Sequence, residues 1–146
     1  MNPIRLQIPA HADYIDLVRL CLYGIATKMG FTYEDIEDMK VAASEACNNA
    51  VLHGSPQRTG VIDISFNLSA TNLSIVVKDQ GPSFNHKEGL EKAESLHNKK
   101  MSNLRSGGLG LFLMQTLMDK VEINNSNGTE LTLTKFVTAQ NSLDKE

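Results

Sequence analysis

Val61-Ile62-Asp63-Ile64-Ser65-Phe66-Asn67-Leu68, the link Ser69-Ala70-Thr71-Asn72, and Leu73-Ser74-Ile75-Val76-Val77-Lys78-Asp79 together form the stretch that decides the fold. Ile62, Ile64, Phe66 and Leu68 recur at every second residue, Ala70-Thr71-Asn72 turns the chain, and Leu73, Ile75 and Val77 resume the alternation. A period of two places those side chains on one face of each strand, so the pair reads as a hairpin with one buried face. A tight turn joins antiparallel neighbours, whereas parallel ones need a long crossover. The reading is therefore α+β rather than doubly wound.

Upstream, Ile4, Leu6 and Ile8 alternate up to Pro9 and predict a short strand. From about Asp13 the spacing becomes helical through Ile15, Val18, Leu22, Ile25, Ala26 and Met29, and Gly30 stands where a helix C-terminal glycine is favoured. Thr32 reads as the N-cap of a second helix, with Asp35 three residues on. Glu34, Asp35, Glu37 and Asp38 crowd its first turns, where the helix dipole favours negative charge. This helix runs through Ile36, Met39, Lys40, Ala43 and Ala50 to about His53, closed by Gly54 and Pro56. Downstream, residues 80–106 lack periodicity and are rich in Lys, Asn, Ser and Gly, as in a lid or binding segment. A helix is predicted at about 108–119, then strands near 121–126 and 129–137 flanking Asn125-Ser126-Asn127-Gly128, and a polar, frayed tail from Gln140. The order places helices on one face of a mixed, mostly antiparallel sheet. Residues 1–146 read as one domain with a core of about 4–137.

Of the 146 residues, 41% are hydrophobic and 21% charged, with a net charge of −3. The acidic balance and the scattered lysines and arginines argue against direct nucleic-acid contact and favour a small ligand or a protein partner. Cys21 and Cys47 both fall in helical patterns and read as reduced core thiols rather than a disulfide or metal framework. Met1-Asn2-Pro3-Ile4-Arg5 has no signal-peptide character, and no stretch approaches the ~20 apolar residues of a membrane span. A cytoplasmic location without membrane attachment is the expectation.

Three polar motifs carry the chemistry. Glu45 and Asn49 lie four apart on one helix face, and His53 continues the stripe. An amide oxygen and a carboxylate so stacked suit Mg²⁺, or the carboxylate serves as a general base on a hydroxyl; a solvated polar face is the plainer alternative. The neighbours Ala42, Ala43, Ala46, Cys47, Ala50 and Val51 point to burial there, where polar groups need partners. Asp79 ends the hairpin just before Gly81. Its carboxylate accepts hydrogen bonds, as the amino group of adenine requires, and Gly81 lets backbone approach a flat base; an ordinary turn explains both equally. Gly107, Gly108 and Gly110 open a helix whose free N–H groups attract phosphate, or form a hinge. Arg105 precedes them, as a phosphate fork or a solvated arginine. Thr129 brings a hydroxyl near Asp79 if their strands adjoin, or is simply a strand-forming threonine.

In this order the segments resemble the N box and the two glycine boxes of the GHKL ATPase superfamily, which includes gyrase, Hsp90, histidine kinases and MutL. Within it, Met29-Gly30-Phe31-Thr32-Tyr33, Asp35-Ile36-Glu37-Asp38, Ser44-Glu45-Ala46-Cys47-Asn48-Asn49-Ala50-Val51, Gly107-Gly108-Leu109-Gly110-Leu111, Leu113-Met114 and Leu117-Met118-Asp119 resemble anti-sigma factor serine-protein kinases of the RsbW type. The likeness runs from about Arg5 to Lys135. It implies the Bergerat two-layer α/β sandwich, with ATP and Mg²⁺ as cofactors. It makes Glu45 the catalytic base and Asn49 the Mg²⁺ ligand. Asp79 would bind the adenine amino group with Gly81 and Thr129 beside it, and Gly107, Gly108 and Gly110 would line the phosphates. The implied activity is phosphorylation of a serine on a STAS-domain anti-anti-sigma protein, by a homodimer that also sequesters a sigma factor. A nucleotide-binding anti-sigma module without phosphoryl transfer is the alternative. The sequence departs from the wider superfamily at Ser83, where a second glycine is usual, and its lid between Phe84 and Arg105 is short.

Overall fold

The computed structural model describes residues 2–54, 60–79, 107–125 and 128–138. Its elements are β1 (Ile4–Pro9), a 3-10 turn (Ala12–Tyr14), α1 (Ile15–Met29), α2 (Tyr33–Gly54), β2 (Val61–Leu68), β3 (Asn72–Asp79), α3 (Gly107–Leu117), β4 (Lys120–Asn124) and β5 (Glu130–Phe136). The five strands form one sheet in the order β1-β2-β3-β5-β4, and each described ladder is antiparallel. This is the expected α+β arrangement.

The hairpin forms as its pattern requires. Ile62, Ile64 and Phe66 of β2 and Leu73, Ile75 and Val77 of β3 are all buried, and the residues between them are mostly half-buried. At the turn, Ser69 Oγ accepts hydrogen bonds from the backbone N–H groups of Thr71 and Asn72 at 3.3 and 3.1 Å. Leu131 and Leu133 of β5 add to the same apolar face. Pro9 closes β1 inside the ladder, opposite Val61, on an edge strand that tolerates its missing N–H.

Local signals set the helix boundaries. Gly30 takes φ 89°, the left-handed turn that ends α1. Thr32 Oγ1 accepts the Asp35 N–H at 3.1 Å, which caps α2 as its sequence position predicts. The alanines 42, 43, 46 and 50 are all buried. Their small side chains let α2 lie against α1, α3 and β3 together, as the central helix of its layer. α3 stops at Leu117 because β5 takes the next groups: the Asp119 N–H donates to the Thr134 carbonyl at 3.0 Å, and Asp119 Oδ2 accepts the Phe136 N–H at 2.7 Å.

One expectation is corrected here. Cys47 is buried but Cys21 is exposed. The buried stripe of α1 is Ile15, Val18, Leu22 and Ala26, and Cys21 lies one residue (about 100° around the helix) from Leu22, off that stripe. The segment 80–106, Ser126-Asn127 and the tail from 139 lie outside the described residues, so the lid, part of the last turn and the fraying remain sequence expectations. Among the described residues no helix is long and apolar enough to cross a membrane.

Candidate functional site

Polar groups from four separate segments meet between α2, α3 and the end of the β3–β5 ladder. On α2, Asn49 is 7% exposed and Glu45, one turn earlier, is partly buried. α3 begins at Gly107 and presents buried Gly108 and Gly110. A Cβ placed on Gly110 would stand 3.0 Å from Glu45 Oε2, 3.7 Å from Asn49 Oδ1 and 3.8 Å from Asn49 Nδ2. A side chain here would press on the Glu45 carboxylate, while Asn49 would stand at ordinary contact distance. The glycine run therefore has a packing reason at Gly110, beyond any hinge.

Asp79 and Thr129 share a cavity with Asn49. Asp79 is 4% exposed and Thr129 5%. The two are neighbours through the β3–β5 pairing, where the Asp79 N–H donates to the Thr129 carbonyl at 3.1 Å. The adjacency that the sequence reading made conditional is thus present. Asn49, Asp79 and Thr129 line one small cavity with Ala46, Ala50, Val77 and Leu131. Its free volume is about 10 Å³, the room of one water molecule.

Ala46, Ala50 and Val77 read from sequence as core alone, and Leu131 simply falls in the strand predicted near 129–137. Their periodicity is the signal of burial, and it does not separate a packed wall from the wall of a cleft. Gly81 and Arg105 lie outside the described residues, as does the side chain of His53. Cys47 is no nucleophile here: burial pushes its thiol up to about 12, against a smaller lowering pull from Arg19.

The chemistry available is specific. The hard oxygen donors Asn49, Asp79 and Thr129 share the cavity with apolar walls, and Glu45 stands one turn from Asn49 beside Gly110 of the 11-residue α3. A helix start of this kind favours anions through its dipole and N–H groups. No cluster of three His, Cys, Asp or Glu side chains that could hold a metal occurs among the described residues. The donor set nonetheless fits a hard, largely hydrated cation that needs one or two protein oxygens and takes the rest from phosphate and water.

Residues 8–135 match the model of the histidine kinase-like ATPase domain. The chain is 43% identical over 138 residues to the serine-protein kinase RsbW of Bacillus licheniformis, covering 92% of this chain and 85% of that protein. The corresponding protein of Bacillus subtilis is 38% identical over 141 residues, covering 94% and 87%. Among solved structures, the catalytic domain of the histidine kinase ThkA aligns over 97% of this chain and 99% of its own, with TM-score 0.59 and 16% identity, a likeness of fold.

Proposed function

The chain belongs to the RsbW family of serine-protein kinases within the histidine kinase-like ATPase domains, and from that premise we propose that it is a cytoplasmic anti-sigma kinase. It uses Mg²⁺ and ATP to phosphorylate a serine on a STAS-domain anti-anti-sigma protein. As a homodimer of single domains spanning residues 1–146, it also holds a sigma factor. The observation that carries the reading is the approach of Gly110 to Glu45 and Asn49, with Asn49 shared by the cavity of Asp79 and Thr129.

Each residue then has one task. Asp79 accepts the amino group of adenine, supported by the Thr129 hydroxyl and by Gly81. Gly107, Gly108 and Gly110 let backbone N–H groups meet the phosphates, and Arg105 adds its guanidinium. Asn49 offers its amide oxygen to Mg²⁺, which when bound neutralises phosphate charge. Glu45 orients the acceptor serine hydroxyl and takes its proton as the oxygen attacks. Phosphoryl transfer depends mainly on such positioning and charge neutralisation, so this small set suffices.

The test is incubation with γ-labelled ATP, Mg²⁺ and a STAS-domain protein carrying the acceptor serine. The reading expects label on that serine. Nucleotide and sigma binding without label on the STAS protein would instead identify a non-catalytic anti-sigma module.

A further inference from the structure

Lys135 occupies a place where the sheet's pattern calls for an apolar residue. It follows Leu131 and Leu133 at alternate positions of β5, on the face that carries the helices, and its side chain is 12% exposed. A lysine there is costly unless its charge is matched. Its Nζ donates to the Leu117 carbonyl at 2.6 Å, at the C-terminal end of α3, where helix carbonyls lack partners and the dipole favours a cation. The same Nζ lies 3.9 Å from Asp35 Oδ1 and 4.0 Å from Asp38 Oδ2, in the first turns of α2. Asp35 Oδ2 is buried and has no hydrogen-bond partner among the described residues, so this carboxylate's match rests on Lys135.

One ammonium group thus ties the start of α2 to the end of α3. Those two helices meet again where Gly110 faces Glu45 and Asn49. Asp38 precedes Glu45 by seven residues and Leu117 follows Gly110 by seven, so each arm is about 10 Å long at 1.5 Å per residue. A tilt of about 5° at the lysine would displace Gly110 by about 1 Å, enough to spoil a positioned site.

We propose that Lys135 is a positioning residue, which fixes the angle between α2 and α3 so that the α3 glycines stay registered on the nucleotide. The proposal rests on the nucleotide-site reading above. The alternative is a buried ion pair that only contributes stability, and such pairs are often replaceable by apolar residues without loss.

Calorimetric titration of the full chain with ATP and Mg²⁺ separates the two. For Lys135→Met we expect a Kd weaker by about tenfold to 100-fold, the upper figure being the cost of a ~1 Å misplacement, with one nucleotide still bound per folded chain. Lys135→Arg, which keeps the cation and its N–H donors, should lie closer to the wild type. A purely structural lysine would give the reverse: fewer competent chains at an unchanged Kd. That result, or an unchanged titration, overturns the proposal. Should Lys135→Met fail to fold, Lys135→Met with Asp35→Asn removes the charge and its more buried counter-charge, leaving the more exposed Asp38, and faces the same criterion. A wild type that binds no ATP would overturn the nucleotide reading and the proposal with it; a wild type that binds, beside an equally tight Lys135→Met, overturns the proposal alone.

Discussion

Replacing Gly110 by alanine should raise stability and lower phosphoryl transfer at once. Gly110 is the fourth residue of α3, and its backbone is not in the left-handed region. Alanine is preferred over glycine within a helix by about 0.8–1.0 kcal/mol. At ~2.1 cal/mol/K of unfolding entropy per residue, a domain of 146 residues should gain about 3 °C in Tm. Against this, the new methyl stands 3.0 Å from Glu45 Oε2, while the two Asn49 atoms, at 3.7 and 3.8 Å, are at ordinary contact distance. A relaxed carbon–oxygen contact is near ~3.5 Å, so the Glu45 carboxylate must swing away by about 0.5 Å and Asn49 need not move. Misplacement by ~1 Å can cost about 100-fold in rate, and half that displacement suggests about tenfold. We therefore expect a kcat for transfer to the STAS serine reduced about tenfold, on that estimate, measured at saturating ATP so that any loss of affinity at the phosphates is read separately. The assays are differential scanning calorimetry, nucleotide titration and quenched-flow transfer from labelled ATP. An unchanged kcat in a stabilised variant would refute the claim that the Glu45 carboxylate needs the space that Gly110 leaves open. A lowered Tm would refute the claim that the Glu45 carboxylate yields at a cost smaller than the gain in helix propensity.

Other expectations concern neighbouring groups. Asn49→Ala should abolish Mg²⁺-dependent nucleotide binding, and normal affinity by calorimetry would remove Asn49 from the metal site. Asp79→Asn exchanges an acceptor for a mixed donor and acceptor of nearly the same shape, so ATP affinity should fall by about tenfold or more, the loss of a charge-assisted hydrogen bond; unchanged affinity would take Asp79 out of the adenine contact. Native protein at pH 8 should take one iodoacetamide, on Cys21, and a second on Cys47 only after denaturation. The thiol of Cys47 is raised from 9.0 to about 12 in the fold. The native state therefore holds a proton that the unfolded chain gives up, and the contribution of Cys47 to stability is whole below pH 9 and is lost as pH rises from there toward 12. Cys47→Ala should flatten that part of the stability–pH curve, and an equally steep curve would assign the slope to other groups.

Local signals were legible because their causes are local. Thr32 caps a helix through a bond three residues away, Gly30 turns where a left-handed residue is required, and the 61–79 alternation buries one face without further instruction. Glu45 and Asn49 share a face by helical period alone. What joins them to Gly110 is a contact across some 60 residues of sequence, and only the packed helices display it. Lys135 is the same case, because the carboxylates and carbonyl that account for it lie on other elements. Cys21 differs: it lies in a helical pattern but out of phase with Ile15, Val18, Leu22 and Ala26, and the phase, not membership of the helix, decides its exposure.

Glu45 is the residue on which the account turns, since it separates a kinase from a nucleotide-binding clamp. Glu45→Ala, mixed with labelled ATP, Mg²⁺ and the STAS protein under single-turnover conditions, should bind ATP as the wild type does and transfer no measurable phosphate to serine. Transfer at the wild-type rate by that variant would contradict the account at its centre.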